Sequence, residues 1–297
     1  MGVFAYACIT IENHGMTYII SLNKGDTAMS VFETIRQRRS VRTFEKKKID
    51  NSVLEELKEY AKQIENPWNI EVRYVFMDAE ECGLSSPVLS GEPMYIAALV
   101  DKTDHAEEAA GYAFEKLMLK AVSMGLGTVW IGGTMKRELF ETACGKTDQE
   151  RMPCITPLGI PAKMSFKEKM MRKGVGADTR MKSEKLFFSE DMNHPLKADS
   201  MDIHDALEAV RLAPSAVNKQ PWRIILKDGL YHFYEKHAKG YISDAVGDMQ
   251  KIDIGIAVAH FDLVLNERGL QTELVISDPG IPVDEDMEYI ASVKVSR

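Results

Sequence analysis

Three stretches from the first half of the chain recur, in the same order, in the second half. DNSVLEELKEYAKQ (50–63) is answered by DIHDALEAVRLAPS (202–215), and ENPWNIEVRYVFM (65–77) by KQPWRIIL (219–226). AAGYAFEKLMLKAVSMGLG (109–127) is answered by DIGIAVAHFDLVLNERGL (253–270). Gly111 and Gly255 stand 144 residues apart, as do Gly125 and Gly269, whereas Trp68 and Trp222 are separated by 154, so loops differ in length between the copies. A repeat on this scale predicts two similar lobes, residues 29–190 and 191–297, packed as the subunits of a dimer pack.

Each copy reads as helix, strand, long helix. Asp50-Asn51-Ser52 is an N-cap region, and Val53, Leu54, Leu57, Tyr60, Ala61 and Ile64 follow at helical spacing. EVRYVFM alternates as a strand does, and MYIAALV (94–100) and ITPLGIP (155–161) read as short buried strands. Residues 107–124 and 252–267 are apolar around much of their circumference, which suits central helices at a lobe interface. The expected fold is α+β, with one antiparallel-to-mixed sheet per lobe. Residues 1–28 carry no part of the repeat and are expected to stand outside the core; they lack the basic start and cleavage site of a signal peptide. No apolar run approaches the roughly 20 residues needed to span a bilayer.

The net charge of −8 argues against a nucleic-acid partner, which would call for a basic face. Against that background RRSVRTFEKKKID (38–50) gathers positive charge in one place. It is either a solvated helix end or a seat for a small anion. The cysteines, Cys8, Cys82, Cys144 and Cys154, form no C-x-x-C pair and have no histidine at zinc-ligand spacing, as expected of free thiols in a reducing cytoplasm. His232 and His237 lie in a strand-like stretch where their rings need not face the same way, and no metal site is expected.

In RLAPSAVNKQPWRIIL (211–226), Pro214 stops a helix, and Ser215, Asn218 and Gln220 then offer groups that both donate and accept hydrogen bonds. Such a turn can meet a ligand edge, or it can simply hold its own backbone.

Taken together, RRSVRTF, GLGTVWIGG and APSAVNKQPW resemble the FMN-dependent nitroreductase superfamily, and the two-lobed pattern resembles its double-length, pseudo-dimeric members. The resemblance runs from Met29 onward. It implies an FMN site shared by the two lobes. Arg38, Arg39 and Ser40 match the phosphate-binding start, and Arg42 the residue that reaches the ribityl chain and pyrimidine edge. Ile131, Gly132 and Gly133 match the loop over the flavin's reactive edge, where glycine lets backbone N–H groups approach. Pro214, Ser215, Ala216, Asn218 and Gln220 match the segment that a partner subunit contributes. Arg172 and Arg180 match a second basic arm, with Lys169 and Lys182 as competitors. Because each half keeps only part of this set, one composite site and one FMN per chain are expected, in a monomer that is its own pseudo-dimer.

The activity so implied is cytoplasmic NAD(P)H-dependent reduction of a small-molecule acceptor such as a nitroaromatic or quinone, by hydride transfer through the flavin and with no protein acid or base. Dehalogenation or flavin breakdown is the nearest alternative. A non-catalytic flavin- or nucleotide-binding protein is the alternative from another class.

Overall fold

The computed structural model describes residues 7–13, 16–22, 29–198 and 200–297. The chain divides into two compact units, Met1–Ser30 and Val31–Arg297. The first contains an antiparallel hairpin of β1 (Ala7–Asn13) and β2 (Met16–Leu22), with Ala7 opposite Leu22. The expectation that residues 1–28 stand outside the core concerns a stretch of which only these two strands are described.

The second unit opens with α1 (Val31–Gln37), whose first backbone N–H donates to Glu267 at 2.7 Å. A run of residues 38–44 then leaves the helix as an extended ribbon. Val41 and Thr43 are β-branched and favour this geometry. The ribbon bonds to three separate segments: Val41 N donates to Thr128 O at 2.9 Å, Phe44 N to Ser90 O at 2.8 Å, and Glu45 N to Ile160 O at 2.9 Å.

Helix α2 (Asn51–Ala61) starts where the sequence places it, with Asp50 accepting from Ser52 N at 2.9 Å. Strands β3 (Val72–Asp78), β4 (Met94–Asp101) and β5 (Glu150–Leu158) form an antiparallel sheet in the order β3-β4-β5. Helices α3 (Ala106–Ser123) and α4 (Arg137–Ala143) lie between β4 and β5. β5 begins five residues before the expected stretch at Ile155. Pro153, which argues against a strand, is tolerated because β5 is an edge and its register with β4 shifts between Ala98 and Val100.

After α5 (Phe166–Gly174) comes β6 (Phe187–Ser189), followed by α6 (Met201–Leu212), β7 (Trp222–Lys227) and β8 (Leu230–Lys236). A small hairpin of β9 (Ile242–Ser243) and β10 (Gly247–Asp248) leads into α7 (Met249–Glu267), and β11 (Gln271–Val275) and β12 (Met287–Ser296) complete the chain. The second sheet is mixed, in the order β11-β12-β8-β7-β6, with only β6 and β7 parallel. β6 joins this sheet although it precedes residue 191. α1 likewise packs its Ile35 into the core built on α6 and α7, although it opens the chain's first half.

α3 packs on the first sheet, α7 on the second, and the two helices on each other. Both are buried nearly all round, as helices without a polar face must be. Their crossing depends on two glycines. A Cβ on Gly111 would lie 2.9 Å from the carbonyl carbon of Ile252 and nearer still to its oxygen; one on Gly255 would lie 2.8 Å from the carbonyl carbon of Glu108. Residues 108 and 252 are separated by the same 144 positions as 111 and 255, so each helix presents the same face to the other. Among the described residues no helix is long and apolar enough to cross a membrane. Cys82, Cys144 and Cys154 are free thiols; Cys8 lies among residues whose side chains are not described.

Candidate functional site

The ribbon 38–42, the loop after Val129, the end of α5, the turn after α6 and the first turns of α7 enclose a cleft of ≈ 740 Å³. This falls within the usual range for small-molecule sites. The cleft brings together all but one of the residues expected to bind a ligand, from stretches up to 180 positions apart.

Its dominant feature is buried positive charge with few partners. The Arg38 side chain is 5% exposed; its Nε lies 3.9 Å from Glu115 Oε1, and neither Nε nor Nη1 makes a hydrogen bond among the described groups. Burial lowers its pKa, the Glu115 carboxylate opposes that shift, and the charge of Arg172 adds to it. Arg42 also has an unpartnered buried Nη1, and burial lowers its pKa too, with Glu168 opposing and Arg172 adding. Arg180 is pushed down to about 10, first by burial and then by the charges of Arg38 and Arg211. Its Nη1 donates to Ala177 O at 2.9 Å and Thr179 O at 2.8 Å, its Nη2 to Leu212 O at 3.1 Å, and its Nε to no described group. Arg172 pairs with Asp178. These guanidinium groups repel one another at short range, and an anion in the cleft would reverse the sign of that interaction.

Arg39 is different, because Glu168 holds it. Glu168 Oε1 accepts from Arg39 Nη1 at 3.1 Å and Oε2 from Thr43 Oγ1 at 2.7 Å, while Glu168 N donates to the N-cap Ser165 Oγ at 3.1 Å. Ser165 and Glu168 have the spacing of a capping box, but the glutamate turns to the ribbon instead of the helix end. Ser40 is fixed through its backbone bridge to Thr128 and lines the cleft.

The turn after α6 is strained. Val217, Asn218 and Gln220 have φ of 50°, 57° and 52°, a left-handed region costly above all for β-branched valine. Asp253 of α7 secures it: both carboxylate oxygens lie within reach of Ala216 N, at 3.1 and 3.0 Å. Burial raises the pKa of Asp253 well above the carboxylate range, and the Ala216 N–H opposes this. Asn218 Nδ2 donates to Gly176 O at 2.8 Å and Thr179 O at 3.0 Å, which ties the turn to the Arg180 loop.

Gln220 does not reach the cleft. It is buried, its Oε1 accepting from Met181 N at 2.8 Å, its Nε2 donating to Asn218 O, and its own N–H donating to Ser215 Oγ at 2.9 Å. The start of β7 at Trp222 turns the glutamine inward as a clamp for the turn. Here the backbone-holding alternative is the one that applies. Pro214, Ser215, Ala216 and Asn218 do line the cleft.

On the opposite wall, Ile131 is held by its bridge to Ile155, and Gly132 O accepts from Arg137 Nη2 at 2.7 Å. A Cβ on Gly132 would lie 2.6 Å from Met249 Cε, whereas one on Gly133 would meet no protein atom within 4 Å. Glu115, Asp253 and Met249 were not anticipated. The signal for the two acids was a carboxylate inside an otherwise apolar helix, in FEKLML and DIGIAV. Glu115 is wholly buried and serves three partners: Arg38, His260 Nε2 at 3.0 Å and Trp130 Nε1 at 2.7 Å.

Residues 30–265 match the model of the family described as "Putative TM nitroreductase". The chain belongs to this nitroreductase family. A solved structure of a putative nitroreductase from Thermotoga maritima is 21% identical, with 90% of this chain and 94% of that one covered at a TM-score of 0.58. The nitroreductase fold is therefore shared over nearly the whole of both chains. A nitroreductase family protein from Clostridium novyi is 23% identical over 46% of this chain and 87% of that one, at a TM-score of 0.40. An FMN-dependent nitroreductase from Clostridium difficile is 18% identical over 44% of this chain and 88% of that one, at 0.39. No curated protein matches.

Proposed function

We propose that this nitroreductase-family chain is an FMN-dependent oxidoreductase that uses NAD(P)H to reduce a nitroaromatic, quinone or similar acceptor. The observation that carries the reading is the set of buried guanidinium N–H groups on Arg38, Arg42 and Arg180 that have no partner among the described residues and border a cleft of the right size. A phosphate monoester, with roughly 1.5 to 2 negative charges and several acceptor oxygens, fits that set. Arg38, Arg172 and Arg180, with Ser40, would hold the phosphate. Arg42 would lie along the remainder of the cofactor and compensate negative charge that develops on reduction.

When bound, FMN would supply two-electron redox chemistry between the nicotinamide and the acceptor. The chain's own residues bind and orient. Gly133 leaves its wall of the cleft free of a side chain, Asp253 keeps the 214–218 turn in place through Ala216 N, and Glu115 balances Arg38 from below. The apolar side chains of Val88, Val175, Val217, Tyr241 and Met249 line the rest of the cleft and suit a planar aromatic acceptor. Because the ribbon comes from one repeat and the turn from the other, one site and one FMN per chain follow, with the two repeats acting as an intramolecular pseudo-dimer.

The test is the absorbance spectrum of the purified protein with released flavin quantified per chain, followed by NADH and NADPH oxidation with a nitroaromatic or quinone. About one FMN per chain and acceptor-dependent turnover support the reading. No flavin after incubation with FMN overturns it, and a ratio near two overturns the composite site.

A further inference from the structure

A second polar cluster, whose side chains do not line the cleft, carries acids instead of arginines. Glu235 stands near the end of β8 and His237 directly follows the strand, and their side chains meet, with His237 Nδ1 2.7 Å from Glu235 Oε1. Asp248, the N-cap of α7, meets them from the β9–β10 hairpin. Atoms from all three side chains lie within 4.8 Å of one another.

Glu235 is fully buried. His237 Nδ1 is 2.7 Å from Glu235 Oε1, but in a geometry that makes no hydrogen bond, and neither oxygen of Glu235 accepts one from any described group. Burial, with the charges of Asp248 and Glu288, pushes its pKa up to about 8. A buried carboxylate with two unused oxygens needs a proton or a cation.

Apart from His237, whose ring lies against it, the neighbouring cations are engaged with other acids. Glu107 is paired with Arg151 at 2.9 Å, and Glu108 with His105 at 3.3 Å. Lys251, one turn into α7, is drawn to Glu288 Oε1 at 2.8 Å. Asp248 accepts the capping bond from Gln250 N at 2.8 Å and a second backbone N–H, that of Lys251. Glu288 Oε2 lies 3.2 Å from the other ring nitrogen of His237. That carboxylate would fix the ring with Nε2 protonated and Nδ1 free to coordinate, the outer-shell arrangement usual for metal-bound histidine.

We propose that Glu235, His237 Nδ1 and Asp248 form a binding site for a divalent first-row transition cation of the zinc type, with Glu288 as the outer-shell partner of the histidine. One imidazole and two carboxylates neutralise such an ion, and the mixed N/O set disfavours magnesium or calcium. A tetrahedral zinc ion with bonds of about 2.0–2.2 Å places its ligands about 3.4 Å apart, so the three side chains need only small rotamer adjustments. The fourth position falls to water. His232, the other histidine of this strand, takes no part; its Nδ1 lies 2.7 Å from Ser292 Oγ and its Nε2 3.2 Å from Lys227 O. The ion joins the end of β8, the β9–β10 hairpin and the start of α7, and its role is structural. Of the cleft wall, Met249 directly follows Asp248 and Tyr241 stands four residues after His237.

The experiment uses the full-length protein, stripped with a chelator and then dialysed against Zn²⁺, with metal content measured by elemental analysis and melting followed with and without Zn²⁺. Co²⁺ serves as the spectroscopic probe. The expected result is about one equivalent of Zn²⁺ retained, a Zn²⁺-dependent rise in Tm, and visible Co²⁺ absorption typical of a four-coordinate ion. Glu235→Gln should abolish all three while leaving the metal-free protein at least as stable as metal-free wild type, since a neutral amide replaces an unpaired buried carboxylate. His237→Ala should abolish metal retention as well. The proposal is overturned if wild type retains no Zn²⁺ and shows no rise in Tm, or if Glu235→Gln binds as wild type does.

Discussion

Replacing Gly111 by alanine tests the packing on which the whole second unit depends. The new methyl carbon would lie 2.9 Å from the carbonyl carbon of Ile252, with the Ile252 oxygen nearer still. Ordinary contact between carbon atoms needs about 3.5–4.0 Å, so α3 and α7 must separate by something approaching 1 Å. Both helices are covered by sheets and by α2 or α6, and the contact is with backbone, which cannot rotate away. Overpacking of this kind costs about 1–3 kcal/mol or more, and the helix-propensity gain of alanine over glycine returns at most about 1 kcal/mol. A net loss of about 2 kcal/mol corresponds to a fall in Tm of about 4–8 °C at this chain length. Circular dichroism melts of wild type, Gly111→Ala and Gly255→Ala should show similar falls for the two variants. Gly133→Ala, which meets nothing, serves as the control. The double variant should lose less than the sum, because helices already separated admit the second methyl at lower cost. If Gly111→Ala melts with wild type, the close crossing is not a feature of the protein in solution.

Arg38→Ala removes two unpaired buried donors and should weaken FMN binding by about 1.5–3 kcal/mol for each bond lost, hence by at least about 10-fold in Kd by fluorescence titration, and Arg39→Ala should do much less because Glu168 already holds that side chain. Asp253→Asn keeps a neutral acceptor for Ala216 N and should bind FMN nearly as wild type, whereas Asp253→Ala should lose affinity; equal losses in both would show that the charge of Asp253 matters more than its hydrogen bond. Arg73 holds the Glu150 carboxyl down at about 2 through paired hydrogen bonds at 2.8 Å. A depressed carboxyl stabilises the fold above its unfolded pKa and loses that stabilisation as pH falls from about 4.5 towards 2, so urea unfolding between pH 6 and pH 3 should be less pH-dependent in Arg73→Ala than in wild type.

Much of this was legible in the chain itself. Repeats at a spacing of 144 pointed to α3 and α7, and the glycines that recur in them mark the crossing. The basic ribbon was visible as a local excess of charge in an acidic protein. Other features depend on tertiary context. Gln220 has the composition of a ligand-facing residue, but its direction is set by the strand that begins two residues later. Pro153 hid the first part of β5, because only an edge position accommodates it. α1 and β6 leave the half of the chain in which they are encoded, and no local pattern records that exchange. α5 has almost no apolar face to mark it in the sequence, although Ser165 and Glu168 stand at capping-box spacing. Glu235 and His237 are near in sequence, but Asp248 joins them only through the hairpin and the start of α7.

The path of residues 31–44 has a mechanical meaning. α1 is seated in the core of the second sheet, while the ribbon that follows is stapled to Thr128, Ser90 and Ile160 on the side of the first. Arg38, Arg39 and Arg42 therefore hang on a short tether between the two sheets. Any rocking of one sheet against the other would change the distance between Arg38 and Arg180. The backbone-to-backbone seat of Gly111 and Gly255 resists that rocking, since two helices in contact along their main chains have no side chains to slide on. Stiffness at the crossing, some distance from the cleft, is thus what keeps the spacing of the charges constant.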